Sequence, residues 1–90
     1  MIGSIRHKGL SDYWTKGRTR GLRPDWIARL SRIMAMLHAA EAPEDMNYPG
    51  SYFHGLRGTD RYSVRLTGNM RVTFGWRGEE AIDIDLEDYH

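Results

Sequence analysis

The spacing of hydrophobic and polar positions divides the chain into a helical first half and a strand-forming second half. The clearest helix is predicted for residues 24–40, where hydrophobic side chains recur at i, i+3, i+4 and i+7. Pro24 suits the first position of a helix, Asp25 lies near the positive end of the helix dipole, and Pro43 stops the helix. Residues 9–16 show the same spacing over a shorter stretch and predict a second helix.

Strands are predicted for most of the second half. Residues 51–54, 62–66, 70–76 and 82–86 read as strands, the last three with period-two alternation, and residues 1–6 alternate weakly. The hydrophobic positions of the long strands define one face, which the helices should cover. The opposite face is polar and carries Arg65, Arg71, Thr73, Asp83, Asp85 and Glu87.

The length of the first long hairpin loop determines which residues pair. A two-residue loop at residues 68–69 would place Leu66 opposite Arg71 and mix the two faces. A three-residue loop at residues 67–69 keeps the faces separate and pairs Arg65 with Arg71. We therefore predict the three-residue loop.

The next hairpin should keep the same faces. Its predicted pairs are Trp76 with Ile82, Phe74 with Ile84, and Arg71 with Glu87. Arg65, Arg71 and Glu87 would then form one polar row across three adjacent strands. A strand, two helices and a meander of strands predict an α+β fold with both helices on one face of the sheet. Ninety residues leave room for one domain, residues 1–90.

Composition excludes several classes of site. The chain has no cysteine, which rules out disulfides and zinc–thiolate centres. The four histidines are far apart and lack ligand spacing, so no metal site is predicted. Phosphate-binding glycine loops and the common hydrolase motifs do not occur. No hydrophobic run approaches 18 residues and no signal-peptide pattern is present, so we expect a soluble cytoplasmic protein without membrane contact.

The charge is unevenly distributed although its total is only +1. Residues 1–38 carry eight Lys and Arg residues against two Asp, and residues 39–90 carry five Arg against ten Asp and Glu. Such a basic half suits contact with a polyanion, although solvated helix surfaces also explain it. Arg29 and Arg32 lie off the hydrophobic stripe of the longer helix and should face solvent.

The remaining polar residues suit RNA cleavage without a metal. That reaction needs a base for the 2′-OH proton, an acid for the leaving oxygen, and positive charge at the phosphorus centre. Histidine exchanges protons near neutral pH, and arginine binds phosphate through a fixed, charged fork. His54 ends a short strand, Arg57 follows it, Arg71 lies on the polar face, and Tyr89 and His90 end the chain. The predicted register brings the end of the last strand beside Arg71.

Each of these residues also has a purely structural interpretation. His90 fits a frayed terminus, and His54 fits a turn or cap. Arg71 fits a charge partner for Glu87, and Tyr89 fits a cover for the sheet edge. Composition alone does not decide between the two interpretations.

Four segments together resemble HigB-type toxins, the plasmid-maintenance killer branch of the RelE/ParE superfamily. They read IRHKGL at 5–10, FHGLRG at 53–58, NMRVTF at 69–74 and EDYH at 87–90, in the order and spacing of that family. The resemblance implies a RelE-like fold with a short N-terminal strand and two helices on one face of a mostly antiparallel, four- to five-stranded sheet. It also implies ribosome-dependent cleavage of mRNA in the A site, with no metal and no cofactor.

The resemblance further implies partners and site residues. The partners are a HigA-type helix-turn-helix antitoxin, the 70S ribosome with its mRNA, and operator DNA only through the antitoxin complex. His54, Asp88, Tyr89 and His90 match the family's active-site positions, and Arg71 matches its strand arginine. Phosphate and ribosomal RNA would be bound by Arg57, Lys8, Arg18, Arg20, Arg23, Arg29 and Arg32.

The chain departs from the family pattern beside the first histidine. Gly55 stands where the family usually has proline, and Arg57 stands where it has lysine. Arg57 keeps the charge but cannot act as a proton carrier. The alternative function is that of the ParE branch, which inhibits DNA gyrase by binding on the same scaffold. That branch does not need paired histidines, so His54 with His90 favours the ribonuclease.

Overall fold

The computed structural model describes residues 1–88, which form two helices and a four-stranded antiparallel sheet. The helices are α1 (Lys8–Lys16) and α2 (Ile27–Ala39), and short 3₁₀ turns occupy Pro24–Trp26 and Pro43–Met46. The strands are β1 (His54–Gly55), β2 (Tyr62–Arg65), β3 (Met70–Arg77) and β4 (Glu80–Asp88), in the sheet order β1-β2-β3-β4. The predicted α+β architecture is confirmed.

Local signals set the ends of both helices. The Nδ1 of His7 accepts a hydrogen bond from the backbone N–H of Leu10 at 3.1 Å and caps the start of α1. Gly17 ends α1 with a φ of +71°, a conformation that costs glycine little. The long predicted helix begins three residues later than expected, because Pro24–Trp26 forms a 3₁₀ turn before α2.

Both helices bury their hydrophobic stripes against the same face of the sheet. Phe74 is fully buried at the centre of this core. Most of the other core residues come from the two helices and from β2, β3, β4 and their ends, among them Leu10, Leu30, Ile33, Met34, Leu37, Val64, Leu66, Val72, Ala81, Ile84 and Leu86. Burial of this apolar surface is the main force that holds the two layers together. In the part of the chain that the structure describes, no helix has the length and hydrophobicity to cross a bilayer.

The start of α1 packs backbone to backbone against the loop that precedes α2. A Cβ atom added to Gly9 would lie 2.6 Å from the carbonyl oxygen of Gly21. A Cβ added to Gly21 would lie 2.8 Å from the Cα of Gly9. The backbones can approach this closely because both positions are glycine. The contact sets the distance between α1 and the loop that precedes α2.

The predicted register of β2, β3 and the distal part of β4 is confirmed. Arg65 pairs with Arg71, and Arg71 pairs with Glu87. The three-residue loop is also present, because the N–H of residue 66 donates to the carbonyl of Met70 at 2.9 Å. The hydroxyl of Thr67 accepts hydrogen bonds from the backbone N–H groups of Asn69 and Met70.

The predicted pairs of Trp76 with Ile82 and of Phe74 with Ile84 are wrong. Ile82 pairs with Gly75, and Trp76 pairs with Ala81, because the register shifts between residues 73 and 75. The shift is a β-bulge on β4, where Asp83 adopts a φ of +49°. Because the bulge adds one residue to β4, the side chain of Ala81 points into the core and that of Ile82 points to the opposite face of the sheet.

The first predicted strand is also corrected. Residues 51–54 do not form a continuous strand, because Tyr52 adopts a φ of +52° and interrupts the pairing. β1 begins only at His54, and Ser51 contributes a single bond, its carbonyl accepting from the N–H of Arg65 at 2.8 Å. The N-terminal segment runs parallel to β4 through isolated bridges at Ile2 and Ile5.

Candidate active site

The face of the sheet opposite the helices carries the polar residues in two rows. The strand register places Arg65, Arg71 and Glu87 in one row across β2, β3 and β4. A second row runs across all four strands through His54, Ser63, Thr73 and Asp85. We call the residues of these two rows the polar face. Three of the seven are basic and two are acidic, and this face is where a ligand can reach the sheet without displacing the helices.

Arg61 reaches across the polar face from the loop between β1 and β2. Its Nη2 donates to the hydroxyl of Thr73 at 3.0 Å and to the carbonyl of Asp83 at 2.7 Å. The Thr73 hydroxyl donates in turn to the carboxylate of Glu87. Burial and the nearby charge of Arg6 lower the pKa of Arg61, whereas the surrounding carboxylates act in the opposite direction. Arg61 therefore connects the β1–β2 loop to the bulge at Asp83 and to Thr73 on β3.

We expect Arg61→Met to lower the free energy of unfolding by about 1–2 kcal/mol, because methionine keeps an unbranched apolar stem like that of arginine and loses both hydrogen bonds. Urea unfolding followed by circular dichroism measures the change. Arg77→Met is the matched control, since Arg77 is an exposed arginine at the end of β3. Equal unfolding midpoints for the two variants would show that the bonds of Arg61 do not stabilise the fold.

His54 occupies the exposed edge of the polar face. Its Nδ1 lies 2.9 Å from the carbonyl oxygen of Tyr52. Because a carbonyl only accepts hydrogen bonds, Nδ1 carries the proton, and the Nε2 of the neutral ring is left as the acceptor. The neighbour of His54 on β2 is Ser63, whose buried hydroxyl has no hydrogen-bond partner within residues 1–88. The tautomer of His54 thus suits a base.

Tyr52 and Arg65 form a stacked pair beside this histidine. The guanidinium of Arg65 lies 4.3 Å from the centre of the Tyr52 ring, a cation–π contact. The ring itself is 59% exposed, which leaves its other side open for a base to stack. The left-handed backbone of Tyr52 positions both this ring and the carbonyl that holds His54. No sequence signal marked Tyr52, because an exposed aromatic before a short strand is common.

The predicted catalytic residues do not all lie on the polar face. His54 and Arg71 do. Asp88 pairs with Met70, so strand alternation places it on the helix side, where it lines a cavity with Trp26. A flat sheet with this register would separate the Cα atoms of His54 and Asp88 by about 17 Å.

Two of the predicted residues, Tyr89 and His90, lie outside the described residues. Arg57 is exposed in the loop that follows β1, three residues after His54. Within residues 1–88, no group of three or more His, Asp or Glu side chains converges in a way that could hold a metal ion.

The predicted basic residues of the first half lie on the helical layer. Lys8 forms an ion pair with Asp12 at 3.6 Å, and Arg23 forms one with Asp25 at 3.1 Å. Arg18 and Arg20 are exposed in the loop between the helices. Arg29 and Arg32 lie together on the exposed side of α2, where both line a cavity with Arg65 at the end of β2. The helical layer therefore adds a basic surface beside the polar face and not on it.

Comparison with known proteins identifies the family of the chain. A family model described as the RelE-like toxin of the type II toxin–antitoxin system HigB matches residues 3–90. The chain is 31% identical to Endoribonuclease HigB of Proteus vulgaris, in an alignment that covers 100% of both chains. The match extends through both polar rows and the terminal EDYH segment. The chain belongs to the HigB-like family of RelE-like toxins from type II toxin–antitoxin systems.

Proposed function

We propose that this chain is an endoribonuclease that cleaves mRNA in the ribosomal A site. The observation that carries the proposal is the grouping of Arg65, Arg71 and His54 on one open face of the sheet. The Proteus vulgaris relative, named as an endoribonuclease, supports the same activity. The polar face offers both positive charge for a phosphate and a base with a free ring nitrogen.

The proposed reaction is an internal displacement at phosphorus. Nε2 of His54 takes the proton of the 2′-OH, and the 2′ oxygen attacks the adjacent phosphorus. Arg65 and Arg71 stabilise the extra negative charge of the phosphorane, which is larger than the charge of the ground state. The bond to the 5′ oxygen then breaks, and His90 donates the proton that this oxygen needs. The products are a 2′,3′-cyclic phosphate and a free 5′-OH.

The end of the chain completes the proposed site. β4 extends through Asp88. We assign Asp88 to orienting His90, and Tyr89 to stacking on a base of the A-site codon. Arg57, close to His54 in the chain, would bind a neighbouring phosphate.

The ribosome supplies the substrate geometry in this proposal. The basic surface on the helical layer, formed by Lys8, Arg18, Arg20, Arg23, Arg29 and Arg32, would contact ribosomal RNA through salt-sensitive phosphate interactions. Free RNA would be cut weakly, because nothing holds its backbone in line for attack. Action on ribosomes places the toxin in the cytoplasm.

The family implies a protein partner as well. A toxin of a type II system has an antitoxin. We propose that this partner is a HigA-type helix-turn-helix protein and that operator DNA is contacted only through the toxin–antitoxin complex.

The test is to add the purified toxin to ribosomes that translate a defined mRNA and to map the new RNA ends by primer extension. We expect cuts within the A-site codon, and at least tenfold fewer cuts when the ribosomes are omitted. A parallel assay of DNA supercoiling by gyrase is the control. Inhibition of supercoiling without A-site cuts would favour the ParE-like alternative and contradict the proposal.

A further inference from the structure

A small cavity opens between α2 and the segment that leads into β1. Its volume is about 170 Å³, and Arg29, Arg32, Tyr48 and Arg65 line it. A cavity of this volume has room for a small group such as one phosphate.

The charge of the cavity is positive and uncompensated. No carboxylate of the described residues lies within 4.0 Å of Arg29, Arg32 or Arg65 as an ion-pair partner. Of the five N–H groups of its guanidinium, Arg29 uses one to donate a hydrogen bond to the carbonyl of Leu66 at 2.8 Å. This bond fixes Arg29 at the end of β2 without neutralising it.

Arg65 carries a further polar atom without a protein partner. Its Nε–H is buried and donates to no acceptor among residues 1–88. A buried donor without a partner is unfavourable, so an acceptor supplied by a ligand stabilises this guanidinium. Phosphate oxygens are suitable acceptors for an arginine fork.

The hydroxyl of Tyr48 adds a neutral donor to the cavity. Burial raises the pKa of Tyr48, while the charges of Arg29 and Arg32 act in the opposite direction. The phenol keeps its proton at neutral pH and can donate it to a phosphate oxygen without adding negative charge.

We propose that Arg29, Arg32, Arg65 and Tyr48 form a subsite for one backbone phosphate of an RNA strand next to the cleaved bond. Arg65 belongs both to this cavity and to the polar row with Arg71, so a strand bound on the polar face continues into the cavity without a gap. The inference rests on the proposed ribonuclease function. It adds to that function a second anchoring point, on the opposite side of Arg65 from the reacting phosphate.

Titration with an uncleavable RNA tests the subsite directly. The probe is a 2′-O-methyl trinucleotide, and the readout is the chemical shift of the arginine Nε–Hε groups in the full-length toxin. We expect saturable shifts for Arg32 and Arg65 and none for Arg77, which lies outside the cavity. Absence of a saturable shift at Arg32 and Arg65 would overturn the proposal.

The matched pair of variants is Arg32→Gln and Arg77→Gln, because both residues are exposed and neither change disturbs the core. Arg32→Gln should weaken binding of the probe about tenfold and reduce the slope of log K against log salt by about 0.7, the value for one phosphate on a single strand. If the two variants bind the probe equally, the subsite does not exist.

Ribosome binding then identifies the strand that supplies the phosphate. A loss of affinity in Arg32→Gln only on ribosomes programmed with 2′-O-methyl mRNA assigns the phosphate to the mRNA. An equal loss on ribosomes without mRNA assigns it to ribosomal RNA and would overturn the placement of the subsite next to the cleaved bond. Normal probe binding by a wild-type toxin that never cleaves mRNA on ribosomes would refute the proposed function and leave the subsite standing.

Discussion

Replacement of His54 by alanine is expected to lower the rate of A-site cleavage by about 10²–10⁴-fold. The reason is the hydrogen bond from Nδ1 to the carbonyl of Tyr52, which leaves Nε2 as the acceptor for the 2′-OH proton. Because His54 is exposed, the free energy of unfolding should change by less than about 0.5 kcal/mol. Single-turnover cleavage on programmed ribosomes measures the rate, and urea unfolding measures the stability.

His38→Ala is the control for this prediction. His38 lies at the end of α2, where its Nδ1 accepts a hydrogen bond from the N–H of Ile2 at 3.3 Å, far from the polar face. Its loss should affect stability slightly and leave the cleavage rate unchanged. A His54→Ala toxin that cleaves as fast as His38→Ala would remove His54 from the proposed mechanism, even if the protein is a ribonuclease.

Gly9→Ala should have the largest effect on stability, with a loss of about 3 kcal/mol in the free energy of unfolding. The new methyl group would lie 2.6 Å from the carbonyl oxygen of Gly21, and a backbone atom cannot move aside as a flexible side chain does. For a domain of this size, the loss corresponds to a melting temperature lower by about 12–24 °C. Differential scanning calorimetry measures it.

The control for Gly9→Ala is Gly68→Ala in the loop between β2 and β3. A Cβ atom at Gly68 meets nothing within 4 Å. Its melting temperature should therefore stay within a few degrees of the wild type. If the two alanine variants have the same melting temperature, the contact between α1 and the loop before α2 is not rigid.

The parts of the fold that follow simple periodicity could be predicted from the sequence. The stripe of α2 and the pairing of Arg65, Arg71 and Glu87 follow from spacings of 3.6 and 2 residues, provided that hydrophobic positions stay on one face. The bulge at Asp83 could not be predicted, because a single left-handed aspartate leaves no mark on the alternation that surrounds it. Between the bulge and the β3–β4 turn, the observed strand pairs therefore differ from the predicted pairs by one residue.

The placement of the candidate site residues was predictable to a similar extent. His54 and Arg71 were singled out because their residue types suit the chemistry, Arg65 was predicted on the polar face without a role, and all three lie on that face. Arg61 was missed because it lies in a turn, and only the fold reveals that its side chain spans the sheet to reach Thr73. Long, flexible side chains in loops are the hardest to place, since neither periodicity nor pairing restricts where they reach.

The N-terminal segment has a consequence for association between copies of the toxin. Its backbone bonds cover the outer edge of β4 at residues 81–84, with the N–H of Gly3 donating to the carbonyl of Ala81 at 2.8 Å and that of Arg6 to the carbonyl of Ile84 at 2.7 Å. An uncovered nine-residue edge would be a template for strand addition and aggregation. At the opposite side, β1 offers an edge of only two residues. Both ends of the sheet thus offer only short lengths of free strand edge to a strand from another molecule.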